Sequence, residues 1–177
     1  MEEISDLTYK IIGFAEIKNF SMDDCVDWAV EMVELGYEQP AILILAGITK
    51  PTDYFEVKPY LLEAFTELKL EQKNGAEAVL YCAYYYIRRI AEGASALLHL
   101  GYLYKLYLNC DRLQELGDFN LLYWAWGDLD YGNAEQHYWP GADKTNIEEI
   151  IVGVAKKWLM DNEKDFLPGR LFISQVR

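Results

Sequence analysis

The chain has 177 residues and carries 29 acidic against 16 basic side chains, for a formal net charge of −13. A chain of this length normally forms one domain whose core needs no disulfide or metal staple. Its acidic surface repels phosphate backbones, which argues against nucleic acid and favours a basic protein as the partner. The charge also has a simpler explanation, because a net charge far from zero keeps a protein soluble.

The sequence shows no feature of a secreted or membrane protein. The first residues, MEEISD, lack the basic and apolar regions of a signal peptide, and the longest uncharged run, residues 93–104, is too short to span a bilayer. We therefore expect a soluble, cytoplasmic protein without membrane contact. Cys25, Cys82 and Cys110 lie far apart in apolar helical patterns, which predicts small buried hydrophobic residues in a reducing compartment.

Two amphipathic helices are predicted at the start. The first covers residues 4–17, and the second opens at a capping box formed by Ser21 and Asp24 and stops at Gly36. One face of the second helix carries four acids, which are Asp23, Asp27, Glu31 and Glu34. We interpret this stripe as a solvated face, because nothing in the sequence brings other metal ligands to it.

The next segment predicts two further helices. Pro40 suits a first helical position and precedes a short apolar segment, residues 41–48, for which a strand is the competing interpretation. Thr52 or Asp53 then caps a helix that runs to Leu70. The predicted core face of this helix consists of Phe55, Pro59, Leu62, Phe65, Thr66 and either Leu68 or Lys69.

Residues 75–110 predict a central pair of aromatic helices, separated at Gly93 and Ser95. Both are apolar nearly all round, which is typical of helices covered on several sides. Within the pair, four side chains form a candidate ligand or anion pocket, which are Tyr81, Tyr85, Arg88 and Arg89. The competing interpretation pairs the two arginines with Glu92 or with a carboxylate of another helix. His99, among leucines, is interpreted as a core histidine.

Residues 111–143 carry a net charge of −6 and many aromatic side chains. We predict a helix over residues 119–125, capped by Asp118, and then a long ordered loop over residues 127–143. The candidate partner-binding residues of this loop are Asp128, Asp130, Tyr131, Glu135, His137, Tyr138 and Trp139, near Tyr123, Trp124 and Trp126. Rigid rings beside carboxylates are typical of interface hot spots, although the same rings could simply seal one end of the bundle.

A metal site in this loop is a weaker interpretation. Alternating carboxylates that end in a histidine suit a hard cation, but the glycine and the bidentate glutamate of a calcium hand are out of place. We predict no metal, no cofactor and no catalytic residue, since His99 and His137 are the only histidines and neither lies in a catalytic motif. The chain closes with a helix capped by Thr145 or Asn146 and an extended arm or strand over residues 168–177.

Four short motifs carry a resemblance. Asp-Trp-Ala at 27–29, Leu-Ala-Gly at 45–47, Phe-Glu-Val at 55–57 and Ala-Glu-Gly at 91–93 make the chain similar to small helical bacterial proteins. Some members of that group resemble immunity proteins, which neutralise toxins. The resemblance implies a bacterial protein and no catalytic residues.

The combined prediction is an all-α, single-domain bundle of six to eight helices around the central pair. We expect an acidic protein-binding module, of the immunity type, that occludes a basic toxin or partner. The alternative is a protein that binds a small ligand or a metal through its tyrosine-lined interior. This alternative includes an enzyme. The sequence predicts no oligomeric state.

Overall fold

The computed structural model describes residues 3–132 and 135–173, and over these residues the chain is all helical, as predicted. The α-helices are α1 (Leu7–Ile11), α2 (Asp23–Glu34), α3 (Pro40–Ala46), α4 (Tyr54–Leu68), α5 (Gly75–Ala91), α6 (Ala96–Asn109), α7 (Gly117–Asp130) and α8 (Ile147–Asn162). Short 3-10 segments occupy Gln114–Leu116, Glu163–Phe166 and Pro168–Leu171. In the described ranges, no helix combines the length and the apolarity needed to cross a membrane.

The chain divides into two compact units. Unit 1 combines Met1–Cys82 with Asp165–Arg177, and unit 2 is Ala83–Lys164. Helix α5 runs through the boundary, so its first half belongs to unit 1 and its second half to unit 2. The prediction of a single domain stays a prediction.

The core of unit 1 is built around Trp28 on α2, which is completely buried. Its indole N–H donates a hydrogen bond to the hydroxyl of Thr8, with 2.9 Å between Nε1 and Oγ1. The ring of Phe65 from α4 meets the indole edge-on, at 6.0 Å between centroids. Three helices therefore share one core contact, in which the single polar atom of the tryptophan is satisfied.

Helix α1 is shorter than the predicted helix over residues 4–17. The carbonyl of Ile12 accepts a hydrogen bond from the backbone N–H of Lys73, at 2.9 Å, in place of a helical partner. Gly13 follows in a turn, and a Cβ added there would lie 2.7 Å from the carbonyl oxygen of Ala78 on α5. The long-range hydrogen bond and this close approach of two backbones end the helix early.

Gly13→Ala is therefore expected to destabilise the protein by about 1–3 kcal/mol, because the new methyl group meets a backbone oxygen that cannot move aside. The matched control is Gly153→Ala on α8, where an added Cβ meets nothing within 4 Å. That control is expected to stabilise by up to about 1 kcal/mol, since alanine favours a helix over glycine. Urea unfolding of both variants measures the difference, and an equally stable Gly13→Ala would disprove the close approach.

The acidic stripe of α2 is not simply a solvated face. Asp23 accepts hydrogen bonds from the backbone N–H and the hydroxyl of Thr52, both at 2.7 Å. Asp27 pairs with Lys50, and Glu31 accepts from the hydroxyl of Ser5. The stripe thus fastens both the N-terminal segment and the connection between α3 and α4.

The predicted capping box at the start of α2 does not form, because no side chain caps this helix. The carboxylate of Asp24 pairs instead with Lys10, at 2.6 Å. Asp53 does cap α4 as predicted, accepting from the N–H of Phe55 at 2.8 Å. Pro40 occupies the first turn of α3, and the competing strand interpretation for this segment is wrong.

Of the predicted core face of α4, only Phe65 is buried. The buried residues of this helix are Val57, Leu61, Ala64 and Phe65, whereas Phe55 is 82% exposed and Leu62 is also exposed. Both faces carry apolar residues at helical spacing, so periodicity alone did not decide between them. The packing of α3 against α4 selects the buried face.

The three helices that lie within unit 2, α6, α7 and α8, pack against one another. Helix α7 runs past the predicted end at residue 125 to Asp130, so the predicted loop over residues 127–143 is wrong in its first part. Leu122, Ala125 and Leu129 are buried at helical spacing and carry the helix through Gly127. Helix α6 is less central than predicted, because Leu98, Tyr102 and Leu108 are exposed.

The predicted extended arm, residues 168–177, begins with a 3-10 segment at Pro168–Leu171. Phe172 then forms an isolated antiparallel bridge with Leu70. Two backbone hydrogen bonds flank it, from Glu71 to Leu171 at 2.7 Å and from Ile173 to Lys69 at 2.9 Å. Residues 174–177 lie outside the described part of the chain.

Candidate protein-binding surface

Five aromatic rings of unit 2 contact one another, and we refer to Tyr104, Tyr123, Trp124, Trp126 and Tyr138 as the aromatic cluster. Tyr104 and Tyr123 stack face to face, with centroids 4.0 Å apart and an angle of 7° between the rings. Trp124 lies 5.7 Å from Tyr104 and 6.1 Å from Tyr138, and Trp126 lies 5.8 Å from Tyr123. The contacts join α6, α7 and the following loop.

No ring of the aromatic cluster is fully buried. Trp124 and Tyr138 expose 43% and 42% of their surface, and the other three rings are half-buried. Rings that only sealed the end of a bundle would pack inward, as Phe119 of the same helix does at 0% exposure. The aromatic cluster is thus a partly exposed surface.

Carboxylates lie at the C-terminal end of α7, next to the aromatic cluster. Asp128 is half-buried, and Asp130 is the last helical residue and exposed. In the described ranges neither of them, nor Glu135, forms an ion pair. A helix C-terminus disfavours negative charge by about 0.3–1 kcal/mol per group. Asp128 and Asp130 therefore lie where the helix dipole disfavours their charge.

Gln136 organises the loop that follows. Its Nε2 donates to the carbonyls of Trp139 and, at 3.0 Å, of Ala142, while its Oε1 accepts from the N–H groups of Tyr138 and Trp139, both at 2.8 Å. One amide side chain thereby satisfies four backbone groups and fixes the position of Tyr138. Nothing in the sequence pattern predicts this role for Gln136.

The remaining predicted partner-binding residues lie outside the aromatic cluster. Tyr131 is 92% exposed, Glu135 and His137 are exposed on the loop, and Trp139 is half-buried. Among the described residues, neither Tyr131 nor Trp139 contacts a ring of the cluster. Tyr104, in contrast, is a central member that was predicted only as part of the helix pair.

The four residues of the alternative ligand pocket divide between the two units. In unit 1, Tyr81 packs against Tyr9 and Phe166, at 6.1 and 5.0 Å between ring centroids, and burial raises the pKa of its hydroxyl. In unit 2, Arg88 and Arg89 reach Glu92 at 3.6 and 3.4 Å, as the competing interpretation predicted.

Tyr85 of the alternative pocket is half-buried, with its ring 5.3 Å from that of Tyr86. No group of three or more potential metal ligands exists in the part of the chain that the structure describes. His99 is only half-buried, and its Nδ1 donates to the carbonyl of Ala94 at 2.8 Å. Ligand binding in the tyrosine-lined interior stays a prediction.

Comparison with known proteins found no relative of this chain. No protein-family model, curated protein or solved structure matches the chain. The geometry of the surface is therefore the basis for a function.

Asp143 closes the loop at the start of α8. Its Oδ1 accepts from the hydroxyl and the N–H of Thr145, at 2.6 and 2.7 Å, and from the N–H of Asn146 at 3.1 Å. Thr145 and Asn146 were predicted to cap α8 themselves, but neither side chain accepts from the first turn. The hydrogen bonds from Thr145, side chain first, lower the pKa of Asp143 below its ordinary 3.8.

We expect Asp143 to titrate below 3.8 in the folded chain, and Thr145→Val to raise its pKa toward that value. Because the folded pKa is lowered, the carboxylate adds stability above the unfolded pKa, and this stability is lost as the pH falls through the folded pKa. Carboxyl carbon NMR across the acid range measures both pKa values. An unchanged pKa in Thr145→Val would disprove the role of the hydroxyl.

Proposed function

We propose that this chain is a protein-binding module that takes a basic partner on the aromatic cluster and the carboxylates beside it. One observation carries the proposal: five rings in mutual contact, none of them fully buried, lie next to Asp128 and Asp130 at the end of α7. The rings supply contact area and the carboxylates supply charge.

Physical reasons support a protein as the ligand of this surface. Tryptophan and tyrosine dominate interface hot spots, because a rigid ring buries a large area and loses little conformational entropy. The mutual stacking of Tyr104 and Tyr123 fixes the rings before binding, so less entropy remains to be lost.

Charge supports a basic partner. Unit 1 holds 17 acids and 8 bases, a net −9, and unit 2 holds 12 acids and 8 bases, a net −4. Such a field speeds the encounter with a positively charged protein, while the apolar contact sets the lifetime of the complex. Asp128 and Asp130 would then pair with lysine or arginine side chains of that partner.

The proposal includes an immunity-type role. Enzymes that act on nucleic acids bind phosphates through clusters of lysine and arginine, and an acidic surface can occupy such a cluster. The aromatic cluster would then cover the adjoining cleft and exclude the substrate. The role is proposed because the four short motifs resemble small helical bacterial proteins, some of which resemble immunity proteins, and the toxin would be a basic nuclease or another basic enzyme.

Capture of partner proteins from a bacterial lysate tests the proposal. A variant that removes the surface shows whether those proteins bind there. Wild type is compared at low and high salt with the triple variant Trp124→Ala, Asp128→Asn, Asp130→Asn. We expect one or more basic proteins that wild type retains at low salt, that high salt weakens and that the triple variant loses.

The control removes the same charge and a similar apolar area elsewhere. Glu56→Gln, Glu63→Gln and Met160→Ala change three exposed side chains on α4 and α8. We expect this control to retain the same proteins as wild type. Equal loss from both triple variants would show that net charge, and not this surface, governs the capture, and the proposal would be wrong.

A further inference from the structure

A groove of about 390 Å³ opens on unit 2 between α6, α7 and the start of α8. Its apolar lining consists of Leu97, Trp126, Leu129 and Ile147. Leu129 and Ile147 are 2% and 5% exposed, so they form the floor, while Leu97 and Trp126 are half-buried at the sides. Asp130 and Glu148 lie on the rim and are exposed.

From this arrangement we infer that the groove seats one aliphatic side chain of the protein partner, flanked in the partner's sequence by arginine or lysine residues that pair with Asp130 and Glu148. The inference rests on the proposed function, since it names the recognition element within the same surface. It assigns a role to Leu97, Leu129 and Glu148, which the aromatic cluster does not use.

The groove is continuous with the aromatic cluster. Trp126 lines the groove, and its ring lies 5.8 Å from that of Tyr123 of the cluster, measured between centroids. A partner lying across the rings would therefore reach the groove without leaving the surface. Anchors of binding energy are usually side chains that fill such a pocket next to aromatic contacts.

The charge of the groove rim determines which partner residues can flank the aliphatic side chain. In the described ranges, neither Asp130 nor Glu148 forms an ion pair, and Lys144 is the one basic residue of the lining. Two acids against one base leave the rim negative, so a basic flank gains attraction and an acidic flank meets repulsion. The backbone carbonyls of a bound segment can accept from Lys144.

The form of the groove favours a segment of a protein over a free small molecule. Small-molecule sites enclose most of the ligand surface. Here Asp130, Lys144, Thr145 and Glu148 are all exposed, so the mouth of the groove is open to solvent. One side chain projecting from a larger body fits this opening.

Three capped tripeptides test the inference on the whole chain: Ac-Arg-Leu-Arg-NH2, Ac-Glu-Leu-Glu-NH2 and Ac-Arg-Gly-Arg-NH2. Methyl NMR follows Leu97, Leu129 and Ile147 during titration to millimolar peptide. We expect saturable shifts of these methyl groups with the first peptide, binding at least about tenfold weaker with the acidic peptide, and no methyl shift with the glycine peptide.

The double variant Asp130→Asn, Glu148→Gln changes two exposed side chains, and its amide spectrum checks the fold. It is expected to bind the first peptide about fivefold more weakly than wild type does, and to bind the acidic peptide no more weakly. No saturable shift with the first peptide, equal binding of the acidic peptide, or an unaffected double variant would each overturn the inference.

The outcome is separable from that of the proposed function. Suppose that the first peptide shifts the NMR signals of Trp124 and Tyr138 but not those of the groove methyl groups. That result would overturn the groove as the anchor site and leave the proposal of a basic partner standing. Groove binding of the first peptide, together with a capture experiment in which both triple variants behave alike, would support the groove and overturn the proposed function.

Discussion

Trp28→Ala is expected to lower the free energy of unfolding by about 3–5 kcal/mol, the usual cost of removing a large buried ring. Trp28 is completely buried and contacts α1 through Thr8 and α4 through Phe65. The cavity left by the indole opens between three helices, so the neighbours cannot close it by a small movement. Urea unfolding followed by circular dichroism measures the change.

Trp28→Phe separates packing from hydrogen bonding. Phenylalanine retains most of the apolar area but leaves the buried hydroxyl of Thr8 without its donor, at a cost of about 1–3 kcal/mol. The double variant Trp28→Phe, Thr8→Val removes both polar partners and is expected to recover part of that loss. A loss below about 1 kcal/mol in Trp28→Ala would contradict the core described for unit 1.

Trp124→Ala is expected to weaken binding of the basic partner by about 2 kcal/mol or more, roughly thirtyfold in affinity, while the fold stays intact. The side chain is 43% exposed, so the free chain loses less packing than at a fully buried ring, whereas the interface loses a central ring. The dissociation rate should rise more than the association rate falls, because short-range contact determines the lifetime. Surface plasmon resonance with the captured partner measures both rates.

Two matched variants make this result interpretable. Met160→Ala removes an apolar side chain that is 83% exposed on α8, and it should leave the affinity within about twofold. Asp128→Asn should slow association and reduce its salt dependence, with a smaller effect on dissociation. An affinity unchanged by Trp124→Ala but lowered by Met160→Ala would place the interface elsewhere.

The helices could be predicted because local sequence signals determine them. Pro40 and Asp53 supply the first turn of α3 and the cap of α4, and apolar residues at helical spacing indicate the long helices. Where two faces of a helix carry apolar residues, as on α4, the pattern is ambiguous, and packing against a neighbouring helix determines which face is buried. The early end of α1 likewise depends on a distant backbone donor at Lys73.

Lys73 shows most clearly what a linear pattern cannot predict. The sequence predicts only a break between helices there, yet the side chain is 6% exposed and pairs with Glu71 at 2.7 Å and Glu77 at 3.2 Å. Burial alone would lower its pKa, but these two hydrogen bonds outweigh burial and the pKa is raised. Both partners are near neighbours in the sequence, so what the pattern could not predict is the burial of Lys73, which depends on packing within unit 1.

The candidate surface was predicted in composition but not in detail. Aromatic and acidic residues crowd residues 111–143, which predicted a contact surface on that segment. The stack of Tyr104 on Tyr123 joins residues of two helices, and the four hydrogen bonds of Gln136 depend on the path of the loop. The stack is a product of tertiary structure, and the bonds of Gln136 come from the local path of an irregular loop, so helical periodicity identifies neither.

The five tryptophan indoles allow the most direct test of the proposed surface. Nitrogen-labelled chain is titrated with the basic protein that wild type retains at low salt, and each indole N–H reports on its own surroundings. We expect Trp124 and Trp126 to shift, while Trp28, buried in unit 1, and Trp158, bonded to the carbonyl of Glu115 at 3.2 Å, stay in place. Shifts of Trp28 or Trp158 with Trp124 and Trp126 unchanged would show that the partner binds another surface.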